Sequence, residues 1–236
     1  MYDRRIKVWD EPHTPEELDR AARAGVKKGK LLGDAHGDSF LRQMRTIRRL
    51  QVASVLEIGP GEGTVRDYMR GLGLVWDTVD ISDKSQPSFR SRLEDLDADA
   101  LAGRWDLVCA FQMLEHSPYE AFVPNLRRMA VMSRRWVYVS LPYSCRGFRL
   151  ELSWLSGQNR RGQRALERYW PTNLPNRRYR PEYLAEFPWV AHRWEIGRQG
   201  FPLARILADV TSAGLRIVER EHGRNPFHYF ILAEKA

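Results

Sequence analysis

One stretch constrains the fold more than any other: an apolar run that ends in three glycines at alternate positions, 55–65. The apolar residues before the glycines predict a buried strand, and the helical spacing of apolar residues after them predicts a helix. Glycine adopts positive φ and leaves room beside the backbone, so Gly59, Gly61 and Gly63 predict a tight turn that a ligand can approach. Glu57 lies inside the strand, where a carboxylate without a partner is costly to bury.

A second apolar run, 75–81, carries an aspartate near its end. In doubly wound sheets, an acidic residue about 20 positions after the glycine turn accepts hydrogen bonds from ribose hydroxyls. Asp80 follows Gly61 by 19 residues. The spacing therefore predicts a nucleoside site, and the alternative is a turn residue at the end of a strand.

Periodicity also predicts the remaining elements. Amphipathic helices are expected over 39–50, 63–71, 119–133 and 202–213, and a third strand over 89–93. The first of these helices carries four arginines, which form either a solvated face or a phosphate-binding face.

The segment Glu57-Ile58-Gly59-Pro60-Gly61-Glu62-Gly63 resembles motif I of the class I S-adenosylmethionine (SAM)-dependent methyltransferases. Two further segments resemble small-molecule members of that family: Leu114-Glu115-His116 after the fourth strand, and the His-x-Trp-Glu-Ile-Gly sequence at 192–197. The resemblance implies an α/β, Rossmann-like fold. Its seven-stranded, mostly parallel sheet has the order 3-2-1-4-5-7-6, with strand 7 antiparallel and helices on both faces.

The resemblance also implies SAM as the cofactor and S-adenosylhomocysteine (SAH) as its product. The glycine turn would pass under the amino-acid end of SAM, and Asp80 would bind the ribose while Ile81 lies against the adenine. For Asp95 and Leu96 the alternative is a solvated acidic loop. The expected cofactor-binding residues are Glu57, Gly59, Gly61, Gly63, Asp80, Ile81, Asp95, Leu96, Phe111 and Gln112.

Two histidines are candidates for the catalytic base. A neutral imidazole at His116 or His192 can remove a proton from an acceptor hydroxyl or amine. The alternative for His116 is a structural role in holding its loop, and for 192–197 it is a polar-aromatic turn packed on the sheet. The expected acceptor-binding residues are Tyr143, Trp194 and Glu195.

The α/β pattern breaks after the fifth strand. We expect one methyltransferase domain, 1–236, with an N-terminal cap segment at 1–37 and a substrate-lid insertion at 145–198. The insertion is rich in arginine, which binds phosphate or carboxylate, and in aromatic side chains, which bind rings. One interpretation is an anionic acceptor of glycan or natural-product type; the other is a small aromatic core with solvated arginines.

The formal net charge of +8 indicates an affinity for anions. An RNA methyltransferase and a non-catalytic SAM-binding protein are therefore alternatives to an enzyme acting on an O or N atom of a small molecule. The sequence carries no recognisable RNA-binding module, so a nucleic-acid partner is not expected.

Three further expectations concern location and metals. No apolar run approaches the ~20 residues that span a bilayer, and the N-terminus lacks the apolar core of a signal peptide. The two cysteines, Cys109 and Cys145, predict neither a disulfide nor a metal site. We expect a cytoplasmic protein without a resident metal.

Overall fold

The computed structural model describes residues 34–144, 147–154, 164–171 and 191–236. Its helices are α1 (Asp34–Arg49), α2 (Thr64–Gly71), α3 (Phe122–Met132) and α4 (Leu203–Ser212). Its strands are β1 (Ser54–Ile58), β2 (Val75–Asp80), β3 (Phe89–Arg90), β4 (Trp105–Phe111), β5 (Ser133–Pro142), β6 (Gly147–Trp154), β7 (Arg164–Pro171), β8 (Leu215–His222) and β9 (His228–Lys235). Short 3-10 turns cover Asp83–Ser85, Leu93–Asp95, Leu114–His116 and Tyr119–Ala121.

Seven strands form one sheet in the order β3-β2-β1-β4-β5-β9-β8. The pairs among β1 to β5 are parallel, whereas β9 runs antiparallel to both β5 and β8. This confirms the expected fold class and strand order. Because the first five strands are parallel, their carboxyl ends meet at one edge of the sheet, where ligands bind in open α/β sheets.

Alternate residues of each central strand enter two different cores. Val55 of β1 packs with Ile47 of α1 and Met69 of α2. Leu56 points to the other face, where it packs with Leu126 of α3 and Ile206 of α4. These side chains are at most 1% exposed, so the two faces hold the sheet edge rigidly.

Several elements differ in length from the expectation. The third strand is limited to Phe89–Arg90, because a 3-10 turn begins at Leu93. The helix expected from 119 begins at Phe122 after a separate turn; its Pro124 lies in the first turn, where a missing N–H costs little. The first helix starts five residues early, at Asp34.

The basic face of α1 is partly neutralised by strand β8. Arg49 forms an ion pair with Glu219 at 2.6 Å, and Arg42 forms one with Glu221. These contacts favour an internal electrostatic role for both arginines over binding of phosphate.

The insertion contributes an antiparallel hairpin, in which β6 pairs with β7 along their full lengths. Residues 145–146, 155–163 and 172–190 of the insertion lie outside the described part of the chain, as does the cap segment up to residue 33. Of the helices that the structure describes, none has the length and apolar character to cross a membrane.

Candidate functional site

The glycine turn has the backbone that its sequence predicts. Gly59, Gly61 and Gly63 have φ values of 69°, 58° and 74°, all in the left-handed region. A Cβ built on Gly59 would lie 2.6 Å from Cγ of Met113, so the turn and the loop after β4 touch. A Cβ on Gly61 would meet no heavy atom of the described residues within 4 Å. The turn is thus closed on one side and open at Gly61.

Glu57 is buried directly behind this turn. Its side chain is 4% exposed, and Oε2 accepts a hydrogen bond of 3.1 Å from the indole nitrogen of Trp76. Burial raises the pKa of Glu57 to about 7, against the opposing effects of the Trp76 hydrogen bond and the charge of Arg66. The carboxyl group therefore titrates near neutral pH.

Arg66 supports the turn from the first residues of α2. A Cβ built on Gly63 would lie 2.3 Å from the nearest nitrogen of the Arg66 guanidinium, so this side chain fills the space beside Gly63. It donates to the carbonyl of Ser85 at 2.6 Å and pairs with Asp67 at 2.7 Å. The arginine links the glycine turn to the loop that follows β2.

Asp80 ends β2 beside the turn, as the spacing predicts. Its Oδ1 accepts from the backbone N–H of Ser82 at 3.0 Å, and its Oδ2 accepts from the hydroxyl of Ser85 at 3.3 Å. An ionised carboxylate offers about four acceptor sites. The loop contacts fix the orientation of this carboxylate at the end of β2.

The acidic segment after β3 divides into an anchored residue and a solvated one. Glu94 accepts hydrogen bonds from Asn125 at 2.9 Å and Ser117 at 3.1 Å. Asp95 is exposed, and Leu96 packs against the core. The proposed adenine contacts of these last two residues stay a prediction.

Gln112 has a strained backbone at the carboxyl end of β4. Its φ of 52° lies in the left-handed region, which is unusual for a residue with a side chain. Ser140 holds it there, because the Gln112 N–H donates to the carbonyl at 3.0 Å and the side-chain amide to the hydroxyl at 3.3 Å. Phe111 packs edge-on against Tyr138. Such strain clusters at functional sites.

The segment 191–198 docks onto the loop after β4. The Arg193 N–H donates to the carbonyl of Glu115 at 2.8 Å, and its guanidinium donates to the carbonyl of His116 at 3.1 Å. The result is that the rings of His116 and His192, which are distant in the chain, lie 5.1 Å apart.

His192 stands in a chain of polar contacts. Its Nδ1 lies 2.7 Å from Oε1 of Glu195, whose Oε2 accepts from Arg198 at 2.6 Å. Burial, with the charges of His116 and Arg198, lowers the pKa of His192 to about 3. The ring is neutral at pH 7, and when Nδ1 donates to Glu195 its Nε2 carries the lone pair.

The Glu115 carboxyl group and Nδ1 of His116 are buried polar atoms. In the part of the chain that the structure describes, neither Glu115 oxygen nor Nδ1 of His116 has a hydrogen-bond partner. Burial raises the pKa of Glu115 to about 8 and lowers that of His116. The burial of Glu115 could not be predicted from its motif, because it depends on contacts with the distant segment 191–198.

The three residues expected to bind the acceptor, Tyr143, Trp194 and Glu195, are all buried. Trp194 is 1% exposed, packs edge-on against Tyr119 and Phe122 and at a tilt against Phe201, and donates to the carbonyl of Ser117 at 3.2 Å. Such burial makes it a support for the loop. Tyr143 is buried too, and pairs with Ile196 by an isolated parallel bridge.

Comparisons with known proteins identify the family and the fold. A family profile described as "Methyltransferase domain" matches residues 17–183. No curated protein sequence gave a significant match.

Three solved structures share the fold at low sequence identity. A 1,6-didemethyltoxoflavin-N1-methyltransferase from Burkholderia thailandensis, with its substrate and SAH bound, is 15% identical; 96% of this chain and 92% of that chain align with a TM-score of 0.52. A magnesium protoporphyrin IX methyltransferase from Synechocystis with SAH is 14% identical, with 92% and 94% covered and a TM-score of 0.57. An N-methyltransferase from Bradyrhizobium japonicum with SAH is 11% identical, with 95% and 99% covered and a TM-score of 0.56.

Proposed function

Because the chain belongs to the methyltransferase-domain family, we propose that it is a SAM-dependent enzyme that methylates an O or N atom of a small molecule. The observation that carries the proposal is the open, left-handed turn at Gly61 beside the carboxylate of Asp80, at the edge where the two histidines meet. All three features lie at the carboxyl ends of parallel strands, where ligands of this fold class bind.

The residues present fit SAM. The space beside Gly61 admits a bound group close to the backbone, and Asp80 is a carboxylate acceptor of the kind that binds ribose hydroxyls, at the end of β2. Ile81, Phe111 and Gln112 lie at the same edge and would contact the remainder of the cofactor. When bound, SAM supplies an electrophilic methyl group on a sulfonium.

The chain's own task is then to align the acceptor, exclude water and accept a proton. His192 is placed for the last of these, because Glu195 fixes its Nδ1 and leaves Nε2 facing the cluster. His116 competes for the same role, because its ring lies 5.1 Å from that of His192.

We propose further that 145–198 forms a lid over the site and that the acceptor is anionic or of glycan or natural-product type. The arginine and tryptophan content of the insertion supports this class. The Burkholderia enzyme, solved with bound 1,6-didemethyltoxoflavin, also supports a small molecule over RNA.

Labelling tests the proposal directly. The protein is incubated with methyl-labelled SAM and fractionated cell extract, and the labelled product is identified by mass spectrometry. We expect label in a small-molecule fraction, and none with Gly61→Ala as the matched control.

Two other outcomes would contradict it. Label in RNA, together with an RNA affinity that falls steeply with salt, would indicate the RNA methyltransferase. SAM binding without label in any fraction would indicate the non-catalytic binding protein.

A further inference from the structure

The structure brings together three metal-binding side chains that no motif assigns to a metal. Glu115 and His116 lie on the 3-10 turn after β4, and His192 lies on the segment that docks against it. One potential ligand atom from each residue lies within 4.8 Å of the other two.

The cluster contains buried polar atoms that a bound cation would pair with. The Glu115 side chain is fully buried, and neither of its oxygens accepts a hydrogen bond in the described part of the chain. A buried polar group without a partner costs about 1–3 kcal/mol, and a charged one costs more. Nδ1 of His116 is similarly buried and without a partner.

The third ligand is already oriented. Because Nδ1 of His192 lies 2.7 Å from Glu195, its Nε2 is the free nitrogen, and this atom lies 3.8 Å from Oε1 of Glu115. A carboxylate on the far nitrogen of a ligating histidine is the usual outer partner of metal sites. Arg198 in turn holds Glu195.

We propose that Glu115, His116 and His192 bind one divalent transition-metal ion of the zinc type. Two imidazoles and one carboxylate suit Zn²⁺ better than Mg²⁺ or Ca²⁺, which prefer oxygen ligands. Metal–ligand bonds of about 2.1 Å in a tetrahedron require ligand atoms about 3.4 Å apart. The 3.8 Å between Glu115 and His192 is close to this value. The full set, whose ligand atoms lie within 4.8 Å of one another, would contract by up to about 1.4 Å around the ion.

Three protein ligands leave one position open, which is the arrangement of catalytic zinc sites. The catalytic consequence, unlike ion binding itself, rests on the proposed function. An acceptor hydroxyl in the open position would lose its proton to water, its oxygen would take the methyl group from the sulfonium, and SAH would leave. The two histidines would then act as ligands instead of proton acceptors.

Zinc titration of the tag-free chain, stripped with a chelator and measured by calorimetry without SAM, tests the inference. We expect one equivalent of Zn²⁺ to bind, and at least tenfold weaker binding in Glu115→Gln and His192→Ala. Co²⁺ should give the strong visible absorption of a four-coordinate site in the wild type and lose it in Glu115→Gln. Glu195→Gln should weaken binding by roughly 10- to 100-fold as a positioning change.

The controls are Glu120→Gln, an exposed carboxylate on the next turn, and His222→Ala, a histidine of β8. Both should bind Zn²⁺ like the wild type, and equal thermal midpoints of metal-free Glu115→Gln and wild type would show that the fold is kept. No saturable zinc binding, or equal binding by Glu115→Gln, would overturn the inference. SAM titration of the metal-free protein tests the proposed function separately, because neither titration requires the other ligand.

Discussion

Trp76 donates a hydrogen bond of 3.1 Å from its indole nitrogen to Oε2 of Glu57, across the first two strands of the sheet. Among the described residues, Trp76 alone donates a side-chain hydrogen bond to this buried carboxyl group. The charges of Arg66, Asp67 and Asp80 also act on its pKa. The bond from Trp76 places a titrating group with a pKa of about 7 directly behind the glycine turn.

Glu57 makes the stability of the protein depend on pH. Its pKa is raised from 4.5 to about 7 by burial, so between these values the folded protein holds a proton that the unfolded chain has lost. The contribution of this group is full below pH 4.5 and is lost as the pH rises through 7. One pKa unit is about 1.4 kcal/mol, so the loss is about 3 kcal/mol.

Chemical denaturation of wild type and Glu57→Gln at pH 5 and pH 8 measures this effect. Between pH 5 and pH 8, the free energy of unfolding of the wild type should fall by about 3 kcal/mol more than that of the variant. If wild type and variant differ in free energy of unfolding by the same amount at both pH values, Glu57 does not titrate in this range.

Gly61 and Gly73 form a matched pair for the cofactor site. Both have positive φ, and a Cβ on either meets no described atom within 4 Å. Alanine should therefore cost each variant about 1–2 kcal/mol of backbone strain. Only Gly61→Ala fills the space assigned to SAM, so calorimetry should show lost SAM binding in that variant alone. Equal SAM affinities in the two variants would contradict the placement of SAM beside Gly61.

Asp80→Asn should weaken SAM binding by roughly 10- to 100-fold, because hydrogen bonds to a charged group contribute about 1.5–3 kcal/mol. Asp77→Asn is the control on the same strand, since Asp77 accepts a hydrogen bond of 2.9 Å from Trp105 in the interior. Its SAM affinity should equal that of the wild type. Comparable weakening in both variants would indicate a general effect on β2.

His192→Ala should lower turnover by about 10²–10⁴-fold if the imidazole accepts the proton, with SAM affinity unchanged. His116→Ala is compared alone and in combination. Turnover near wild type in all three variants would exclude a histidine base. Turnover that a chelator abolishes in the wild type would assign the histidines to the metal instead.

Trp194→Phe should lower the free energy of unfolding by about 1–3 kcal/mol, because the carbonyl of Ser117 loses its buried donor. Since the ring is 1% exposed, KM for the acceptor should change little. A large rise in KM with unchanged stability would instead support the sequence-based prediction that Trp194 binds the acceptor.

The strand order could be predicted only through the family resemblance, whereas the site of the turn could be predicted from local patterns. The buried run of β1, the three positive-φ glycines and the spacing to Asp80 all follow from residues near in the chain. The backbone strain at Gln112 could not be predicted, because its cause is two hydrogen bonds to Ser140 on the next strand.

By itself, the sequence determined a doubly wound sheet with a glycine turn and an acidic strand end, since periodicity and φ preferences act over a few residues. Only the tertiary structure decided that His192 meets Glu115 and His116, because the docking bond from Arg193 to Glu115 joins distant parts of the chain. The same docking buries the Glu115 carboxyl group, for which the described residues supply no hydrogen-bond donor. Burial of this kind depends on every element around the residue, and no local pattern of amino acids records it.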